Sequence, residues 1–312
     1  MHLLVPFASD TSEACRHVLR DLALPNLARV LALLSPASRD EGDAASFTPP
    51  HERALAAQWG WHGGDGRWPL AALAAARDGV AVGERAWALV TPAHWQLGRD
   101  HVVMTDPVHL QLTDAESREL FEAVRGLFES EGFDVAFGDA SRWYIARADL
   151  DGFATASLDR AIGRSVDAWL GSDASAIGRL VRRLQSEVQL VLHVHAVNEA
   201  REERGELVVN SFWLSGCGRA QPAEAAASPE IAASLRAPLL AGDWAAWAEA
   251  WNALDASVIA ALLTRAERGE PIALTLCGER TALRFEGQRR PLWERLRARW
   301  RGAEPHAVLE SL

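Results

Sequence analysis

The sequence predicts an α/β fold, a mainly parallel sheet flanked by helices, with a smaller α+β insert. Three observations lead there. Apolar runs suited to buried strands stand near both ends of the chain, HLLVPFA (2–8) and PIALTLCGE (271–279), in company with helical segments, as in a parallel sheet. From about residue 85 the texture changes to strand, amphipathic helix and paired strands, which suits an insert. The 312 residues, 49% hydrophobic, suffice for one large core or two modest ones, and a charged fraction of 24% rules out global disorder. The expected division is a core from residues 1–85 and 205–312, with 86–204 as insert and connecting helix.

Each element follows from its pattern. SEACRHVLRDL (12–22) is helical, and so is LPNLARVLALL (24–34), whose Pro25 sits at a tolerant N-terminal position. SPASRDEGDAASFTPP reads as a polar loop, and HERALAAQWGW as a short helix ending at Gly60. RAWALVTPAHW, HVVMTDPVHLQL and FDVAFGDASRWYIARA read as strands, and DAESRELFEAVRGLFESEG as an amphipathic helix. Residues 175–205 form one long helix in this reading, with Leu180, Leu184, Val188, Val191, Val194 and Val197 at helical spacing. VVNSFWLSGCG (208–218) then gives a buried strand closed by a tight turn. An Ala- and Trp-rich helix (243–268) and a basic helix near 291–301 complete the chain.

Composition narrows the function. The net charge of -10 gives no electrostatic reason to approach nucleic acid or an anionic membrane surface. All 32 basic residues are Arg, so neither a lysine Schiff base nor a P-loop lysine can form. Cys15, Cys217 and Cys277 are scattered, as in a reducing compartment. The N-terminus has no basic region and too short an apolar run for a signal peptide, and no apolar stretch reaches membrane-spanning length. A soluble cytoplasmic protein is expected.

Two constellations could carry chemistry. His195, Asn198 and Arg201 recur at three-residue steps on one helix face. Such a stripe suits a phosphate or carboxylate, but spacing alone favours a solvated, self-capped helix end. Asn210, Gly216 and Gly218 frame the end of the 208–218 strand, where glycines let backbone amides approach an anion or simply close a turn. Cys217 lies between the glycines with no base supplied, which favours a buried thiol. The histidines form no H-E-x-x-H, and no metal ligand set emerges. The thirteen tryptophans, Trp244, Trp247 and Trp251 among them, suit a core or, alternatively, a partner surface.

Taken in order, these segments resemble the cofactor-independent phosphoglycerate mutases of the alkaline phosphatase superfamily. LPNLARVLALL resembles their T-P-N-L-D-x-L-A segment, and HAVNEAREERGELVVNSFWLSGCG is similar to the archaeal-type H-P-V-N-x-x-R…G…A-N…G-x-G block. His195, Asn198, Arg201, Gly205, Asn210, Gly216 and Gly218 fall in step with that block. SRWYIAR resembles the segment opening a strand in the insert, which retains Arg142, and LTDAES resembles a helix start there. The nearest look-alikes are shorter bacterial proteins described as phosphoglycerate mutase-like or RpfE-type regulatory proteins.

The resemblance implies an alkaline phosphatase-like sheet and phosphoryl transfer, with two divalent ions clamping the transferring group and a serine transiently phosphorylated. The sequence departs from it at the chemistry. Pro6-Phe7 stands where the family has an Asp-Gly metal site, and TPPHERAL stands for the nucleophile segment. Gly278-Glu279 replaces a late Asp-His pair, and AGDWAAWAEAW replaces D-x-x-G-H. The expectation is a non-catalytic, regulatory or phosphometabolite-binding relative without a metal cofactor. Its ligand, a small phosphorylated or carboxylate metabolite, would be held by Arg142, His195, Asn198, Arg201, Asn210, Gly216 and Gly218. One alternative is an active mutase with two Mn or Zn ions and a rearranged site using Thr48 or Ser46 with His51. The other is a protein-interaction module presenting the Trp-rich C-terminal third.

Overall fold

The computed structural model describes residues 1–170, 175–222, 228–287 and 304–312. Its strands are β1 (His2–Val5), β2 (Ser35–Glu41), β3 (Ala86–Ala93), β4 (Trp95–Leu97), β5 (Val102–Met104), β6 (Asp134–Asp139), β7 (Arg142–Ala146), β8 (Ser211–Arg219), β9 (Glu230–Ile231), β10 (Ala273–Cys277) and β11 (Thr281–Glu286). The helices begin with α1 (Glu13–Asp21), α2 (Pro25–Leu33), α3 (Pro50–Gln58), α4 (Leu70–Arg77) and α5 (Asp114–Ser130). They continue with α6 (Leu158–Ala161), α7 (Val166–Trp169), α8 (Ala176–His193), α9 (Ala196–Glu203), α10 (Arg236–Leu240), α11 (Trp244–Leu254), α12 (Ala260–Glu267) and α13 (Pro305–Glu310). The expected basic helix near 291–301 lies outside the described residues.

The chain divides into two units: Met1–Ala45, Pro49–Gly60 and Ala223–Leu312 form the first; Ser46–Thr48 and Trp61–Pro222 form the second. Residues 61–85 and 205–222 lie with the middle of the chain, because α4 packs against both β3 and β8.

In the first unit the fold is mixed α/β around a five-stranded sheet ordered β2-β11-β10-β1-β9. β1 runs parallel to both neighbours, with Leu3 opposite Leu274 and Glu230, while β11 and β2 add antiparallel. SPASRDE is not a loop. It forms the edge strand β2, whose polar residues face solvent and whose Pro36 sits at a bulge, where a missing N–H is tolerated. Leu3, Val5, Leu27, Val30, Leu274 and Phe285 build the core. Trp247 and Trp251 lie fully buried in it, ring centroids 6.3 Å apart and edge-to-face, so these two indoles of the Trp-rich third form a core wall, while Trp293 and Trp300 lie outside the described residues.

The second unit is built on an antiparallel sheet, β6-β7-β3-β8. β8, the strand at 208–218, pairs antiparallel with β3 and takes no part in the parallel sheet. HVVMTDPVHLQL supplies only the short β5 before a 3₁₀ turn at Pro107–Leu110. Helix α5 starts at a capping box between Thr113 and Glu116, and buries Ser117, Leu120, Phe121, Val124 and Phe128 along one stripe. The long helix breaks in two. α8 buries Ile177, Val181, Leu184, Val188 and Leu192, then ends as His195 turns outward to cap α9 through Nδ1 and the Val197 amide at 3.2 Å. Val194, expected on the apolar face, is 71% exposed at that break.

Candidate functional site

The first candidate is the carboxyl end of β1. The chain leaves β1 through Phe7, which holds a left-handed backbone conformation, φ 57°, at the place where the resemblance puts a glycine. Three hydrogen bonds fix the loop there. The indole Nε1 groups of Trp247 and Trp251 donate to the carbonyls of Phe7 (3.1 Å) and Ala8 (3.3 Å), and the Ala8 amide donates to Cys277 at 2.8 Å. The Phe7 ring lies against the buried His51 ring, centroids 5.1 Å apart. Farther along, the Thr11 hydroxyl and amide both donate to the Glu279 carboxylate, and Asp10 accepts from the Ser12 amide at 2.6 Å.

The residues here do not fit two divalent ions. The Asp10 and Glu279 carboxylates are engaged by the loop itself, and burial pushes the Cys277 thiol up, away from a ligating thiolate. Among the described residues no three His, Cys, Asp or Glu side chains converge to hold a metal ion. Asp243 of AGDWAAWAEAW caps α11 at the Ala246 amide, 3.0 Å away. Thr48 is 2% exposed and accepts from the Gly66 amide at 2.7 Å, so it braces a turn of the second unit, whereas His51 belongs to the first.

The second candidate is the H-x-x-N-x-x-R block. Asn198, 3% exposed, donates to the carbonyls of Leu192 (2.8 Å) and Val209 (2.7 Å) and accepts from the Val209 amide (3.0 Å). It thereby clips the end of α8 to the start of β8. Arg201 is 1% exposed, and its guanidinium donates to Leu207 at 2.8 Å, to Leu110, and to Glu116 at 3.0 Å. Glu116 is partly buried, which alone would raise its pKa, but the Thr113 hydrogen bonds and the Arg201 charge hold it below the usual range. Asn210 pairs with both backbone groups of Trp95, accepting at 2.7 Å and donating at 2.9 Å, and so pins the β4–β5 hairpin.

Gly216 and Gly218 lie within β8 rather than beyond its end, with φ of 68° and 147°. A Cβ on Gly216 would stand 2.8 Å from the Ala71 amide, so the glycine is what lets the first turn of α4 reach the strand backbone. Cys217 between them is buried and its thiol is pushed up to about 12, so it is unreactive. Arg142 forks onto Asp78 at 2.8 and 2.9 Å and reaches Asp139 at 2.7 Å, while the Tyr144 hydroxyl donates to Asp78 at 2.5 Å. Arg142 holds the Asp78 carboxyl below the usual range. The structure thus distributes the predicted residues along the framework of the second unit, with their polar groups turned to its own backbone and carboxylates. Nothing in the sequence marks the Thr11–Glu279 clamp, and the four-residue spacing of Trp247 and Trp251 is the signal for the indole anchors of Phe7 and Ala8.

No family model matches the chain. A stretch of 123 residues is 32% identical to a probable 2,3-bisphosphoglycerate-independent phosphoglycerate mutase of Geobacter sulfurreducens, covering 39% of this chain and 30% of that protein. The similarity is confined to that stretch, and the chain spans less than a third of the relative's length. Among solved structures, the cofactor-independent phosphoglycerate mutase of Thermoplasma acidophilum aligns over 91% of this chain and 89% of that chain, with 14% identity and a TM-score of 0.39. The PH0037 protein of Pyrococcus horikoshii aligns over 92% and 87%, with 13% identity and a TM-score of 0.45. Among the described residues no helix is long and apolar enough to cross a membrane.

Proposed function

We propose that this chain is a phosphoglycerate mutase-like protein that works without two-metal phosphoryl transfer, as a cytoplasmic regulatory or phosphometabolite-binding protein with no resident metal. The observation that carries the proposal is Phe7. At the carboxyl end of β1, where a metal-dependent phosphotransferase needs anionic oxygen ligands, an aromatic ring packs on His51, and buried indoles anchor the carbonyls of Phe7 and Ala8. The ligand class is a small phosphorylated or carboxylate metabolite. Arg142 is the proposed contact, because its side chain is 38% exposed whereas that of Arg201 is buried.

Two measurements test this reading. Metal analysis of the purified protein, paired with an assay of 3-phosphoglycerate to 2-phosphoglycerate conversion, should give neither stoichiometric Mn or Zn nor turnover. Both together would overturn it. In thermal-shift screening with phosphorylated metabolites, a ligand at a hundredfold over its Kd adds about 2.7 kcal/mol. That shift should shrink in Arg142→Gln, and a shift of equal size in the variant would remove Arg142 from the site.

A further inference from the structure

We propose that the second unit carries a binding site for a compact, neutral acyl amide in a cleft of about 230 Å3 beside Gln111. The inference is independent of the phosphometabolite reading. Pro92, Pro107, Val108, Leu110 and Leu112 give the cleft apolar walls, and Gln111 and Ser141 are its polar residues, the Ser141 hydroxyl already donating to Asp139 at 3.0 Å. Among the described residues lining it none is ionisable, so a charged ligand would lose its hydration there without a counter-charge. Apolar walls with a few placed polar groups are the usual make-up of a small-molecule site. A closed apolar cavity of about 150 Å3 holds benzene, so this cleft has room for about nine non-hydrogen atoms.

The walls are held from behind by buried groups. Arg201 donates to the Leu110 carbonyl, and Ser117, fully buried, donates to the Ala140 carbonyl at 2.8 Å while accepting from the Trp143 indole at 2.9 Å. Both sides are therefore fixed before any ligand arrives, which lowers the entropic cost of binding. Gln111 has a left-handed backbone, φ 47° and ψ 38°, fixed by its amide to Val108 at 3.2 Å, and its side chain is exposed at the cleft. Strained non-glycine residues of this kind cluster at ligand clamps. A primary carboxamide offers a donor and an acceptor together, so it pairs best with another amide. In this arrangement Arg201 is a positioning residue, acting through the Leu110 carbonyl.

The test uses cyclohexanecarboxamide, with methylcyclohexane as the apolar control, in saturation-transfer NMR on the full chain. The amide should show transfer that Ala140→Phe, which fills the cleft, abolishes. Gln111→Gly, which keeps the walls and relieves the backbone, should weaken the amide about tenfold, the value of one hydrogen bond, and leave the control unchanged. Absence of transfer to the amide, or equal transfer in a folded Ala140→Phe, would overturn the site. Equal amide affinity in Gln111→Gly would overturn the assignment of an amide ligand.

Discussion

The β1 end of the first unit and the Asn198–Arg201 block of the second carry opposite relations between sequence and chemistry. At β1 the side chains differ from the pattern the resemblance implies, yet the backbone keeps a conformation natural to glycine, now occupied by Phe7. In the block the residue types match the pattern, yet their polar atoms bond to the protein's own backbone and to Glu116. A motif can thus be held in place by architecture. Buried polar groups must be hydrogen-bonded wherever they lie, so removing one costs stability whether or not a ligand exists.

The strongest way to break this comparison is Arg201→Met. If the guanidinium is structural, the change strands the Leu110 and Leu207 carbonyls and leaves Glu116 to Arg204 and Thr113 alone, and urea unfolding of the second unit should lose about 3–5 kcal/mol. A ligand-facing arginine would leave the urea midpoint nearly unchanged. Next in size is Asp255→Ala in the first unit. Asp255, 3% exposed in a π-helical turn, accepts from the Asn26 amide and side chain and from the Leu27 amide at 2.7–3.1 Å, so it caps α2 at the segment LPNLARVLALL. The expected loss is about 2–3 kcal/mol. It would make that second resembling segment architectural too, whereas a loss near zero would reopen it as a site.

These residues also mark how far the sequence could be read. Periodicity and a capping box place α5 and the body of α8, because those signals are local. The break at Val194–His195 was not legible: a histidine cap and a helix interior share the same spacing until the structure turns. β2 was hidden because a polar edge strand is stabilised by pairing with β11, a partner far along the chain. For the same reason the apolar run 208–218 announced a strand but not its sheet. The stripe of His195, Asn198 and Arg201 was visible as a helix face, but its burial depends on Leu110, Glu116 and Leu207, which no spacing rule brings together. Gln111 gave no signal, since nothing in its type demands a left-handed backbone.

Phe7 sharpens the comparison by a smaller amount and with an inverted sign. Elsewhere Ala stabilises a chain relative to Gly, but a left-handed backbone penalises any Cβ by about 1–2 kcal/mol. Both Phe7→Ala and Phe7→Gly remove the ring from His51, so their difference isolates the backbone. Phe7→Gly should be the more stable of the two by about 1 kcal/mol in urea unfolding of the first unit. If Ala proves more stable, the left-handed conformation is not enforced by the Trp247 and Trp251 anchors.

Acid should separate the two units as well. On β1, burial lowers the pKa of His2 to about 4, helped by the Arg284 charge and the N-terminus and opposed by Glu286. The unfolded chain, with an ordinary histidine near 6.5, then binds more protons than the folded one, so stability rises with pH and is lost as pH falls from about 6.5 towards 4. In the second unit, Asp78, Glu116 and Asp149 have lowered folded pKa values, so their contribution is complete above the ordinary carboxylate range and lost only below it. Hydrogen exchange followed by segment between pH 7 and 4 should show β1 and β10 losing protection before β3, β7 and β8. In His2→Gln that early loss should shrink. Simultaneous loss in both units, or an unchanged profile in the variant, would show that His2 does not set the acid limit of the first unit.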